Sequence, residues 1–166
     1  MQRYVVELLE AYRGEVAGEA YFSALAQETS EPDHAHKWRT LAQLEHLVAT
    51  RIRTALEARG IPIPATDADW QRGLRSATEY IALPWRDALA RLQPELDRYV
   101  REFEVSESAM PEEFLPLAQF VTAHERALLE FVTMELERSG TDSLAAPLRL
   151  LGEKPLEPME RASIQK

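Results

Sequence analysis

The sequence predicts an all-α protein, a four-helix bundle with one long crossover between its second and third helices. Three features point that way. Apolar residues recur every three or four positions along four long stretches, which is the spacing of one helix face. No stretch alternates apolar and polar residues as a strand would. The connections are unequal, two short turns on either side of one long segment, and that pattern suits a bundle whose second and third helices run parallel.

The first helix runs from Arg3 to about Glu28 on Val5, Leu8, Leu9, Tyr12, Val16, Phe22 and Leu25, with no proline to interrupt it. Ser30, Pro32 and Asp33 then supply stop and start chemistry: proline fits a first turn, and a Ser or Asp side chain accepts from the unpaired first amides. The second helix carries Trp38, Leu41, Leu44, Val48, Ile52 and Leu56, and Gly60 stands just beyond its end. Residues 61–83 contain Pro62, Pro64 and Gly73, with no sustained periodicity beyond a helical turn or two around Trp70 to Tyr80, and are expected to form the crossover. The third helix begins at about Pro84 and carries Trp85, Leu89, Leu92, Leu96, Val100 and Phe103, with a kink expected at Pro94, which lacks an amide donor. A turn at Ser108 to Pro111 leads to the fourth helix, from about Glu112 to Ser139, on Phe114, Leu117, Val121, Leu128, Val132 and Leu136, with Gly140 as its stop. The bundle therefore spans residues 1–140. Residues 141–166 are expected to hold a short packing helix at Ser143 to Leu151 and a flexible C-terminal tail.

Composition narrows the function classes. A chain of 166 residues, 45% hydrophobic and 28% charged, is long enough for one domain with a sizeable core and too apolar to be disordered. No apolar run approaches the ~18 residues of a membrane span. With Lys+Arg 19 against Asp+Glu 28, the net charge of −9 disfavours nucleic acid and anionic lipid, leaving small molecules or proteins as expected partners. The absence of cysteine removes disulfides, thiol catalysis, iron–sulfur clusters and cysteine zinc sites, so any metal must sit on carboxylates and histidines. The opening MQRYVVELLEAYRGE has no signal-peptide pattern, which makes the cytoplasm the expected location. No nucleophilic triad, phosphate-binding glycine loop or dinucleotide fingerprint is present. Gly14 and Gly18 offer room for another helix or a second subunit, so a homodimer is one expectation.

Most helix carboxylates have a cation three or four positions away, as in Arg3 with Glu7 and Glu10 with Arg13, and belong to solvated faces. Glu45 is different, lying among Leu41, Ala42, Val48 and Ala49. Glu125 repeats the anomaly among Val121, Thr122, Leu128 and Leu129. Glu19 has Val16, Phe22, Ser23 and a second acid, Glu15, at those spacings. A buried unpaired carboxylate costs several kcal/mol or stays protonated, so these acids need either a shared cation or a proton-sharing network with Tyr12, His46, His124 or an arginine. At about 1.5 Å per residue, Glu19 and Glu45 lie roughly 18 and 21 Å from the first turn and Glu125 roughly 22 Å from the second, so all three fall near one level. Glu95 reaches the same level on the third helix but stands between Arg91 and Arg98, the setting of a surface ion pair. His34 and His36 splay apart on a helix and are expected to be structural.

Through this topology and the stretches GEVAGEAYF, LAQLEHL and TAHERALLEF, the chain resembles the ferritin-like superfamily, the group of rubrerythrins, bacterioferritins and the small subunit of ribonucleotide reductase. The resemblance covers about residues 3–139. It implies an interior iron or manganese site on Glu19, Glu45 and Glu125, with Glu15 and His124 as further ligands, and a metal-dependent oxidoreductase or metal-binding role. The family's Glu-x-x-His is absent from both expected helices, since Val48 follows Glu45 by three and Leu128 follows Glu125 by three. The histidines are instead adjacent to the acids, His46 after Glu45 and His124 before Glu125, so an occupied site is expected to be mononuclear or weakly binding. The alternative is a metal-free ferritin-like bundle serving as a partner-binding or oligomerising scaffold.

Overall fold

Glu31 and Pro32 set the first turn. The Glu31 side chain accepts from the His34 amide at 2.8 Å and Pro32 occupies the first helical turn, so Glu31, rather than Ser30 or Asp33, caps the second helix. The computed structural model describes residues 2–138 and 142–152, and those residues form helices and turns with no strand. Helix α1 (Arg3–Glu28) and helix α2 (Pro32–Glu57) pack along their lengths as a hairpin. Gly60, at φ 69°, ends the turn after α2 in the left-handed conformation, and the Ile61 amide returns to the Leu56 carbonyl at 3.1 Å.

Residues 61–83 are not an open crossover, because they contain a full helix, α3 (Asp67–Ile81). Its buried face is Asp69, Gly73, Ala77 and Tyr80, small and polar residues that give no apolar stripe to read. What holds α3 is close approach to α1: a Cβ placed on Gly73 would stand 2.1 Å from the Ala17 carbonyl oxygen. Asp69 adds ion pairs to Arg13 and Arg72, each at 3.1 Å. Gly73→Ala is expected to force the two backbones apart and to destabilise the protein by about 1–3 kcal/mol despite alanine's better helix propensity, as thermal unfolding would report.

Helix α4 (Trp85–Ser108) runs unbroken through the exposed Pro94, and helix α5 (Leu115–Glu137) starts three residues later than the periodicity suggested. Residues 112–114 form a turn instead, with the buried Phe114 at the N-cap position. Helix α5 ends with Arg138 at φ 50°, whose amide returns to Met134. The expected stop at Gly140 and the expected tail lie outside the described residues. Helix α6 (Ala145–Leu151) packs on α2 and α5.

Contacts at the two ends fix the helix directions. At one end His34 stacks on Trp85 with ring centroids 3.9 Å apart, and Lys37 reaches Glu135 at 2.9 Å. At the other, Ser106 donates to Glu7 at 2.8 Å and Arg59 lies over the Phe114 ring at 4.2 Å. Helices α2 and α4 therefore run one way and α1 and α5 the other. The core between them is led by fully buried Leu41, Leu44, Ile52, Leu89, Leu128 and Phe131. The backbones of α1 and α4 stay apart, and the gap between them, flanked by α3, is a cleft of about 820 Å³. No described helix is long and apolar enough to cross a membrane.

Candidate functional site

Four titratable side chains meet where α1, α2 and α5 face one another. Glu15 comes from α1, Glu45 from α2, and His124 with Glu125 from α5; their exposures are 2%, 5%, 0% and 7%. Glu15 and Glu45 occupy the same faces as Leu8, Tyr12 and Phe22 on α1 and Leu41, Val48 and Ile52 on α2, so apolar burial draws the acids inward with their neighbours. One ligand atom each from Glu15, Glu45 and His124 lies within 4.8 Å of the other two. His124 Nε2 stands 3.3 Å from Glu45 Oε1 and 3.4 Å from Glu15 Oε2.

Gly18 makes this arrangement possible. A Cβ there would lie 2.5 Å from Glu45 Oε2, so the Glu45 carboxylate rests directly on the α1 backbone where a side chain is missing. Gly14, one turn earlier, has open space above it and borders the cleft.

Hydrogen-bond geometry orients the histidine. Its Nδ1 faces the Val121 carbonyl at 3.3 Å, which requires a proton on Nδ1, and its Nε2 faces the carboxyl groups. Burial alone would push the imidazolium down, but Glu45 beside it, with Glu125 and the Val121 carbonyl, holds its pKa up at about 9. Glu15 is raised well above the ordinary carboxylate range by burial and by the neighbouring Glu45 and Glu125. Glu125 rises to about 7, burial outweighing the favourable His124 charge. Near neutrality, without a metal, the group thus holds a cationic imidazole, with Glu15 and Glu125 pushed toward their neutral forms. Two buried oxygens, Glu15 Oε2 and Glu125 Oε2, have no hydrogen-bond partner among the described residues. Glu15, Glu45 and Glu125 border the floor of the α1–α4 cleft, with His124 behind them.

Of the five expected ligands the structure brings Glu15, Glu45 and His124 within 4.8 Å of one another, with Glu125 buried and close enough to shift Glu15 and His124. Glu19 stands apart from them. One turn beyond Glu15, it points to the outer side of α1, where its carboxylate meets His46 Nδ1 at 3.1 Å with the imidazole largely exposed. Glu15 takes the interior place instead, at 2% exposure, while the Glu19 carboxylate goes to His46. Glu95 is no ligand of the cluster; it accepts from the Tyr80 hydroxyl at 3.0 Å across the cleft wall. An exposed group, Glu31, Asp33 and His34, also gathers within 4.8 Å, with Lys37 paired to Asp33 at 2.6 Å and His34 stacked on Trp85.

Residues that the sequence did not single out are Tyr21 and Tyr80, whose rings meet edge-on with centroids 5.3 Å apart beside the cleft. Burial and the Glu95 carboxylate raise Tyr80 to about 12, so its hydroxyl remains a donor. The Tyr21 hydroxyl, buried and raised by burial and by the neighbouring Tyr80, lies beside the Tyr80 hydroxyl. Aromatic residues at helical spacing look like core in a sequence, and only the spatial gap beside them sets these two apart. Comparison with family models, with curated proteins and with solved structures gave no match to this chain.

Proposed function

We propose that this chain is a metal-binding protein of ferritin-like architecture that holds one divalent ion, iron or manganese, on Glu15, Glu45 and His124, with Glu125 completing the donor set. The observation that carries this reading is the convergence of three buried donors within 4.8 Å, with the buried Glu125 Oε2 left without a hydrogen-bond partner among the described residues. Carboxylate and imidazole donors suit these ions. The Val121 carbonyl, facing Nδ1 at 3.3 Å, fixes the imidazole with Nε2 turned to the acids, as the outer partner of a metal-bound histidine does. One histidine with three acids supports a single ion rather than a pair.

The cation would take the place of protons. Glu15 would be held ionised, the imidazole would lose its Nε2 proton, and the carboxylates bordering the cleft would leave the ion reachable by a small molecule. Iron or manganese in that position would supply redox and Lewis-acid chemistry, which makes oxidoreductase activity on a molecule in the cleft the corresponding enzymatic reading. The chain's own part is to hold the donors, exclude bulk water behind them at His124, and shape the access.

Equilibrium dialysis of chelator-treated protein against manganese(II), and against iron(II) without oxygen, tests the assignment. About one ion per chain is expected, and none in a variant lacking Glu45 or His124. A wild-type chain that stays metal-free contradicts it and favours a proton-sharing network, for which the His124–Glu45 contact at 3.3 Å is already suited. Gly18→Ala is a subtler probe: the helix keeps its fold, yet the new methyl displaces the Glu45 carboxylate, so manganese affinity is expected to fall about tenfold or more in the same dialysis.

A further inference from the structure

A buried ligand set needs a way in for its ion, and Glu15, Glu45 and Glu125 all border the α1–α4 cleft. The other sides are closed: His124 behind them is fully buried, and α1 lies so close to α2 at Gly18 that a Cβ there would stand 2.5 Å from Glu45 Oε2. Ser106, donating to Glu7 at 2.8 Å, sets the register of the two antiparallel walls. Seven residues along from that contact stand Gly14 on α1 and Tyr99 on α4, both bordering the cleft, with Glu15 next in the chain after Gly14. A Cβ built on Gly14 meets nothing within 4 Å, so the wall beside Glu15 is bare.

Negative charge gathers at the same place. Exposed Glu10 lies one turn from Gly14 and makes no ion pair among the described residues, and exposed Glu102 lies one turn from Tyr99. Both arginines that border the cleft are committed, Arg3 to Glu7 at 2.7 Å and Arg72 to Asp69 at 3.1 Å. Glu102 pairs with Arg98 at 3.1 Å, yet its charge still reaches the floor, where it adds to the rise of Glu125. There the buried Glu125 Oε2 has no hydrogen-bond partner among the described residues. An opening of one sign between low-dielectric walls focuses the field and speeds the arrival of counter-ions by about tenfold or more.

Resting on the metal reading above, we propose that the divalent ion enters through the α1–α4 cleft at the level of Gly14 and Tyr99, that Glu10 and Glu102 steer it inward, and that the bare wall at Gly14 keeps the passage open. None of these residues is a ligand of the ion. Steering and passage leave different kinetic marks. Removing charge at an entrance slows arrival and weakens its dependence on salt. An obstacle on the path raises a barrier crossed in both directions, so arrival and departure slow by the same factor and Kd stays where it was.

Stopped-flow mixing of the full chain with manganese(II), followed with a fluorescent manganese indicator, tests this. Chelator-treated protein mixed with the ion gives kon, and loaded protein mixed with excess indicator gives koff. The double variant Glu10→Gln, Glu102→Gln is expected to lower kon about threefold or more at low salt and to flatten its salt dependence. The control Glu28→Gln, Glu57→Gln removes the same charge at exposed positions off the cleft and is expected to change kon less than about twofold. Gly14→Phe, which meets no clash at Cβ, is expected to lower kon and koff together by about threefold or more, with Kd within about twofold and the unfolding temperature retained. The inference is overturned if the acidic double variant behaves like its control, or if Gly14→Phe leaves both rates at their wild-type values or changes only one of them, since the ion would then enter elsewhere. Dialysis separates the two assignments: a wild type that takes up no manganese fails the metal reading and the route with it, whereas one ion per chain with unaltered variant kinetics fails the route alone.

Discussion

The metal-free protein is expected to be most stable near pH 5 and to lose several kcal/mol by pH 9. Glu125 is raised from 4.5 to about 7 and His124 from 6.5 to about 9 on folding, and Glu15 moves upward as well. A group whose pKa is higher in the folded chain contributes its full stability below the unfolded value and loses it as pH rises through the folded one. For Glu125 the loss falls between about 4.5 and 7, and for His124 between about 6.5 and 9, so the three groups act in one direction. Below pH 4.5 the trend reverses, since Glu7, Asp33 and Glu135 have lowered values set by Arg3, Lys37 and Ser143 against their burial. Urea unfolding in chelator across this range measures the slope, and Glu125→Gln isolates its acidic half: the variant should be flatter than the wild type between pH 4.5 and 7. Bound manganese should reverse the alkaline loss, because a cation competes with protons for the same donors. Wild-type stability that rises steadily from pH 5 to 9 in chelator would show that the cluster does not carry these protons.

Replacing Glu45 by Gln is expected to abolish iron and manganese binding while leaving the metal-free protein at least as stable near neutral pH. The amide has nearly the shape of the acid and can rest on Gly18 in the same way. Without the negative charge His124 becomes neutral, keeps its Nδ1 proton toward Val121, and presents Nε2 as an acceptor to which the Gln amide donates. One like-charge contact with Glu15 disappears at the same time. The wild type should gain about 2.7 kcal/mol of unfolding stability at manganese a hundredfold above its Kd, and the variant none. Equal stabilisation of both proteins would place the cation elsewhere.

How far the sequence predicts this structure depends on the kind of signal. The α1, α2, α4 and α5 segments follow from three- and four-residue apolar spacing, and Glu45 and Glu125 were conspicuous because they interrupt it. Helix α3 was hidden because its contact with α1 relies on Gly73 and Ala77, and close backbone approach leaves no hydrophobic period. Glu15 and Glu19 sit one turn apart on α1, and spacing alone does not say which faces the core; packing turned Glu15 inward and left Glu19 to His46. The role of Gly18 needed the position of Glu45, a residue 27 places away that only the folded hairpin brings near. The cleft is likewise a property of two helices that do not close on each other, a fact with no local trace in the chain.

Whether Glu15, Glu45 and His124 form a cation site is decided by an anomalous-difference map from crystals of the manganese-soaked protein. One peak is expected, in bonding contact with an oxygen of Glu15, an oxygen of Glu45 and Nε2 of His124, with Glu125 turned toward it. A map with no peak there, or with its only peak at Glu31, Asp33 and His34 while the imidazole stays against Glu45, would contradict the assignment.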